Sequence, residues 1–112
     1  MTSAATKKNS VMTVKVMGPE AKIEEYFKKT AESNGFLQYK FISGVTGVPD
    51  RIIIGHGTIA FVELKAAYGV LSERQKFVIN TIRQYGGTVF IPHSIEDIDA
   101  IIESLKKENS VA

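Results

Sequence analysis

Cysteine is absent from all 112 residues of the chain. Disulfides, zinc–thiolate sites and thiol nucleophiles are therefore excluded, and the absence fits a reducing compartment. No apolar run approaches the length of a membrane span. The start, Met1-Thr-Ser-Ala-Ala-Thr-Lys-Lys, lacks the apolar stretch of a secretory signal. The expectation is a soluble cytoplasmic protein with no membrane partner. Charge of one sign is also scarce: the net charge is +2 and the pI about 8.9. That balance is too weak by itself to assign nucleic-acid binding. Histidine is limited to His56 and His93, which lack metal-ligand spacing, so neither is expected to coordinate an ion. Ser72 has no histidine base placed for it, which favours a helix cap over a nucleophile.

Apolar residues make up 44% of the chain, enough for one core without staples. Residues 1–9 are small and polar and are expected to form a flexible tail; a single domain is expected over 10–107 and a frayed tail over 108–112. Residues 10–17 alternate loosely, with Val14 and Val16 against Thr13 and Lys15. A helix is expected from Pro19-Glu20 to Asn34-Gly35, because proline suits a first helical turn and glycine a C-terminus. Phe36 to Ile42 reads as a strand. Ser72 and Gln75 have capping-box spacing, opening a helix that runs to Gly86-Gly87 with Phe77, Val78, Ile82 and Tyr85 expected inward. Thr88 to Ile91 reads as a short buried strand stopped by Pro92. Ser94 caps a last helix, with Asp97 three residues on and an apolar stripe of Ile95, Ile98, Ile101, Ile102 and Leu105. This order predicts an α/β fold with helices flanking a mixed sheet. The link from the third strand to the strand at 88–91 is long enough for a parallel crossover.

The centre of the chain carries the chemistry. Arg51-Ile-Ile-Ile54 and Thr58-Ile-Ala-Phe-Val62 flank Gly55-His56-Gly57 and read as a β-hairpin. A two-residue turn at His56-Gly57 pairs Gly55 with Thr58 and, by continuation, Asp50 with Glu63. Glu63 and Lys65 are two apart on a strand and share a face. Two carboxylates beside an ammonium form a candidate divalent-metal site with a charged partner for a water or a phosphate. A slip of one residue would send Asp50 to the other face. The bland alternative is a surface hairpin with a weak Glu63–Lys65 pair.

Gly47-Val-Pro-Asp50-Arg, then Phe61-Val-Glu63-Leu-Lys65-Ala, Gly69 and Leu71-Ser72-Glu-Arg-Gln75 closely resemble the VRR-NUC family, the virus-type replication-repair nucleases of the PD-(D/E)xK superfamily. Glu20, Ile23 and Gly35 are similar to that family's first helix, and Gly86-Gly-Thr-Val-Phe-Ile91 with Ser94 to its later strand and last helix. The resemblance implies a restriction-endonuclease-like αβββαβ core and metal-dependent phosphodiester hydrolysis. It implies Glu20, Asp50, Glu63 and Lys65 as the active site, the Leu64 carbonyl as an extra metal ligand beside Asp50 and Glu63, and Gln75 near the site. It implies Mg²⁺ or Mn²⁺ as cofactor and DNA, not a small molecule, as substrate. Small stand-alone members are homodimers that act on branched DNA including four-way (Holliday) junctions. The minimal length is that of the phage or bacterial type, which places the chain in a phage-infected or bacterial cell.

Several roles stay open. Lys65 fits a residue that orients or deprotonates water and equally one that pairs with phosphate. Glu24 and Glu25 are rivals to Glu20, whose spacing to Gly35 suits the family helix better; a carboxylate there also suits the helix dipole. Lys40 is either a phosphate contact or an exposed strand lysine. Gln75 fits a bridge to water or to the DNA backbone and equally the capping box of its own helix. Arg51 and Arg74, with Lys28, Lys29, Lys76 and Arg83, are candidates for a phosphate-binding rim. The alternatives to a junction-cutting enzyme are a flap or general DNA nuclease of the same fold and a non-catalytic DNA-binding domain. Retention of both acids and the lysine argues against the last.

Overall fold

The computed structural model describes residues 18–108. The expectations placed on residues 1–17 and 109–112 lie outside those residues. Helix α1 spans Pro19–Ser33, strand β1 Leu37–Lys40, β2 Arg51–Gly55, β3 Thr58–Val62, helix α2 Glu73–Gln84, strand β4 Val89–Phe90 and helix α3 Ile95–Glu108. The four strands form one sheet in the order β1-β2-β3-β4. β1, β2 and β3 are antiparallel neighbours, and β4 joins β3 in parallel. This is the expected mixed α/β core, with αβββαβ order followed by one more helix. Among the described residues no helix is long and apolar enough to cross a membrane.

The hairpin register is the expected one: Gly55 pairs with Thr58 and Arg51 with Val62. Its turn residues both have positive φ, 51° at His56 and 81° at Gly57, as a type I′ turn requires. His56 is exposed in the turn. Its ring packs on Phe36 with centroids 4.5 Å apart, and its Nε2 donates to the Asn34 carbonyl at 2.9 Å. Gly55 has no alternative here, since a Cβ would stand 2.6 Å from the Phe36 ring.

The main core lies between one sheet face and the pair α1 and α3. It holds Ile23, Phe27, Ala31, Phe36, Ile53, Ala60, Val62, Leu64, Ile98, Ile102 and Leu105. Strand alternation explains the choice: Ile53, Ala60, Val62 and Leu64 share one face of the hairpin. Each fully buried large apolar side chain contributes about 1.5–3 kcal/mol. α1 and α3 are also joined by polar bonds, Tyr26 Oη donating to Asp99 Oδ1 at 2.7 Å and Lys106 Nζ to Asn34 Oδ1 at 2.9 Å.

Two expectations about packing are corrected. Phe77 and Tyr85 are not inward; they are 63% and 88% exposed. α2 makes contact chiefly with the short β4, so it buries only Val78 and Ile79, and the flanks of its apolar stripe stay in solvent. Ile95 is likewise half-exposed, because it sits at the first position of α3, outside the packed stretch. The strand expected over Phe36 to Ile42 forms its ladder only from Leu37 to Lys40.

Candidate active site

Each strand residue of the site has its backbone fixed by a neighbour. The Phe41 amide donates to the Asp50 carbonyl at 2.9 Å, the Glu63 amide to the Phe90 carbonyl at 2.9 Å, and the Lys65 amide to the Pro92 carbonyl at 3.1 Å. The ladder thus runs past the end of β3 and through the functional segment. Pro49, fully buried, sets the path of the chain into Asp50. Gly47 has φ of 97°, and a Cβ there would stand 2.9 Å from the Arg74 side chain and 3.0 Å from its carbonyl. Only glycine allows this loop to pass so close to α2.

These elements open onto a cavity of about 300 Å³ lined by Glu20, Ala21, Glu24, Lys40, Asp50, Arg51, Glu63 and Leu64. Glu63 is the most enclosed acid, with 12% of its side chain exposed, and Lys65 Nζ lies 3.6 Å from its Oε2. Gln75 Nε2 donates to the same oxygen at 3.1 Å. The Gln75 side chain has two functions at once. Its Oε1 accepts from the Ser72 amide at 2.8 Å, and its own amide donates to Ser72 Oγ at 3.0 Å. The capping box of α2 therefore holds the carboxamide that orients Glu63.

Burial pushes the Glu63 carboxyl above its usual range, and the charges of Asp50 and Glu20 push it the same way, while Lys65 pulls it down. Glu20 and Glu24, four apart on α1, share a helix face and both line the cavity. Glu24 is engaged with Arg51, which is only 5% exposed. That hydrogen bond holds the Glu24 carboxyl below its usual value. Glu25 instead sits near Lys29, at 3.8 Å.

Of the expected residues, Glu20, Lys40, Asp50, Arg51, Glu63 and Leu64 line one cavity, with Lys65 and Gln75 against Glu63. Arg51 does not belong to a solvent-facing rim. Strand parity puts it on the core side of Asp50, where it pairs with Glu24 and donates to Gln38 Oε1 at 3.0 Å. Arg74 is exposed but its Nε donates to the Thr46 carbonyl at 3.1 Å, and its guanidinium lies over the Phe77 ring. The part of Glu24 is new beyond its standing as a rival to Glu20; its four-residue spacing from Glu20 was the available signal.

The carboxylates of Glu20, Glu24, Asp50 and Glu63 line the cavity, and oxygen donors of that kind suit a hard divalent ion. Among the described residues no group of three or more His, Cys, Asp or Glu side chains is close enough to hold an ion by itself. The set matches an ion held by one or two carboxylates that keeps most of its coordination for water and phosphate.

The sequence matches no family model and no curated protein. The fold does match a solved structure, a VRR_NUC domain, with a TM-score of 0.70 and 30% identity over 76% of this chain and 95% of that one. The chain belongs to the VRR-NUC family. The cavity at the end of the hairpin is the candidate active site of this VRR-NUC domain.

Proposed function

We propose that this VRR-NUC protein is a metal-dependent, structure-selective DNA endonuclease that cuts four-way junctions as a homodimer. The observation that supports the reading is that Asp50 and Glu63 line one cavity, with Lys65 Nζ 3.6 Å from Glu63 and Gln75 bonded to the same carboxylate. Asp50 and Glu63 would hold Mg²⁺ or Mn²⁺, with the Leu64 carbonyl as a further oxygen donor. An ion held there would lower the pKa of a coordinated water and offset charge on the scissile phosphate.

The chain's own groups do the rest. Gln75 fixes the rotamer of Glu63. Lys65, with Nζ 3.6 Å from Glu63, would orient or deprotonate the attacking water or pair with the phosphate. Glu20 brings a further carboxylate from α1, and Lys40 gives the cavity wall a cation for the DNA backbone. One chain offers one such centre, so two symmetric cuts across a junction call for a two-fold dimer.

The test is cleavage of labelled four-way junction, 5′ flap and linear duplex in Mg²⁺, Mn²⁺ or EDTA, beside Asp50→Asn, with mass measured by light scattering. Paired, metal-dependent nicks on the junction by a dimer, lost in the variant, are expected. Cleavage of flap or duplex alone would remove the junction assignment, and binding without cleavage in either metal would remove the enzyme.

A further inference from the structure

The loop between Lys65 and α2 is built as a tight turn. The Gly69 amide donates to the Ala66 carbonyl at 2.9 Å, which closes a four-residue β-turn with Tyr68 at its third position. The turn folds back on the site. A Cβ at Gly69 would meet the Lys65 Cβ at 3.5 Å and the Ala66 carbonyl at 3.3 Å. It is also clasped from the far side. The His93 ring lies between two carbonyls, with Nε2 3.2 Å from that of Gly69 and Nδ1 3.1 Å from that of Ile91, and the tautomer sets which of them receives the N–H. The His93 amide donates to Asp97 Oδ2 at 2.8 Å, tying the clasp to the first turn of α3.

This anchored turn displays apolar side chains to water. Tyr68 is 97% exposed and Val70 80%. The phenol ring at the tip of this turn, three residues from Lys65, offers both flat faces to solvent and has no ring or hydrogen-bond partner among the described residues. The ligand with a matching flat face, present wherever DNA occupies the cavity, is a nucleobase. Bases in a duplex are already stacked, so such a ring gains only from a base that is unpaired or displaced.

Resting on the nuclease reading above, we propose that Tyr68 is a nucleobase-stacking platform, held beside the cleavage site by His93, that takes an unpaired base of branched or gapped DNA. Ring stacking of this kind is worth about 1–3 kcal/mol per base, or roughly 5- to 100-fold in affinity.

The experiment is anisotropy titration of a fully paired duplex and of the same duplex carrying a single-stranded gap, in Ca²⁺, with Tyr68→Ala, Tyr68→Phe and Tyr68→Trp. The chain contains no tryptophan, so Tyr68→Trp places a sole indole reporter at the turn. Tyr68→Ala is expected to weaken gapped DNA roughly 5- to 100-fold and to leave the duplex unchanged. Tyr68→Phe should retain affinity, and the indole emission of Tyr68→Trp should be quenched by gapped DNA only. Equal loss on both DNAs, failure of Tyr68→Phe, or an unquenched indole would overturn the stacking role while leaving cleavage intact. A wild-type chain that binds neither DNA would overturn both this role and the nuclease reading.

Discussion

Two walls of the cavity are built by different physics. Asp50, Glu63 and Lys65 sit on backbone segments that are hydrogen-bonded to neighbours, so their relative placement follows from strand pairing. Glu20 and Glu24 come from a helix in another layer, positioned by core packing and by one enclosed ion pair, Glu24 with Arg51. The first wall is a local consequence of a two-residue turn. The second is a tertiary consequence, and it depends on an arginine that is otherwise buried. The comparison suggests that substitutions on the strand wall act mainly on chemistry, and those on the helix wall mainly on stability.

The largest effect should come from the strand wall itself. Asp50→Asn or Glu63→Gln is expected to lower kcat/KM for Mg²⁺-dependent cleavage by about 10³-fold or more, with the fold retained by circular dichroism. Gln75 tests whether orientation of Glu63 matters apart from its charge. Gln75→Ala should cost about 10–100-fold in activity, the range for residues that orient a metal ligand. Ser72→Ala removes the cap hydroxyl but keeps the Gln75 carboxamide. It should destabilise by about 0.5–2 kcal/mol with a smaller loss of rate. Equal rate losses in the two variants would sink the idea that Gln75 acts on Glu63.

Breaking the helix wall should read out as stability. Glu24→Ala leaves the Arg51 charge enclosed with Gln38 as its remaining neutral partner, and about 1–3 kcal/mol of destabilisation in urea is expected. Glu25→Ala, whose pair with Lys29 is solvent-exposed, should change stability by only about 0.3–0.5 kcal/mol. If Glu24→Ala proves as mild as Glu25→Ala, the Arg51 pair does not position α1.

The smallest effect sharpens the comparison through pH. The Glu63 carboxyl is raised by burial and by its acidic neighbours, so its protonated form favours the folded state. That contribution is fully present below the ordinary carboxylate value of 4.5 and is lost as pH rises through the raised folded value. In EDTA, Glu63→Gln should therefore melt higher than wild type at about pH 7, with the gap narrowing toward about pH 4. Added Mg²⁺ should raise the melting temperature of wild type but not of the variant. An unchanged gap across pH would show that Glu63 carries no electrostatic cost.

The same division explains what could be read from the residues alone. The hairpin was legible because Gly55-His56-Gly57 imposes the turn and period two does the rest. The capping box of Gln75 was legible from its spacing to Ser72, whereas its bond to Glu63 is a tertiary contact. Phe77 and Tyr85 misled because helical periodicity marks an apolar stripe without saying how wide a partner covers it, and β4 is only two residues long. Arg51 misled because adjacency to Asp50 was given more weight than parity, which places neighbours on opposite faces. Glu24 needed the tertiary contact with Arg51, which no local pattern encodes.

Strand parity gives the hairpin an arithmetic that mutation can probe without touching a charged residue. One residue inserted into β2 alone turns Asp50 away from Glu63, whereas two return it to the same face one rung further along. Catalysis in this chain is thus sensitive to odd and even lengths, and cleavage becomes an error check on strand registration as much as a measure of chemistry.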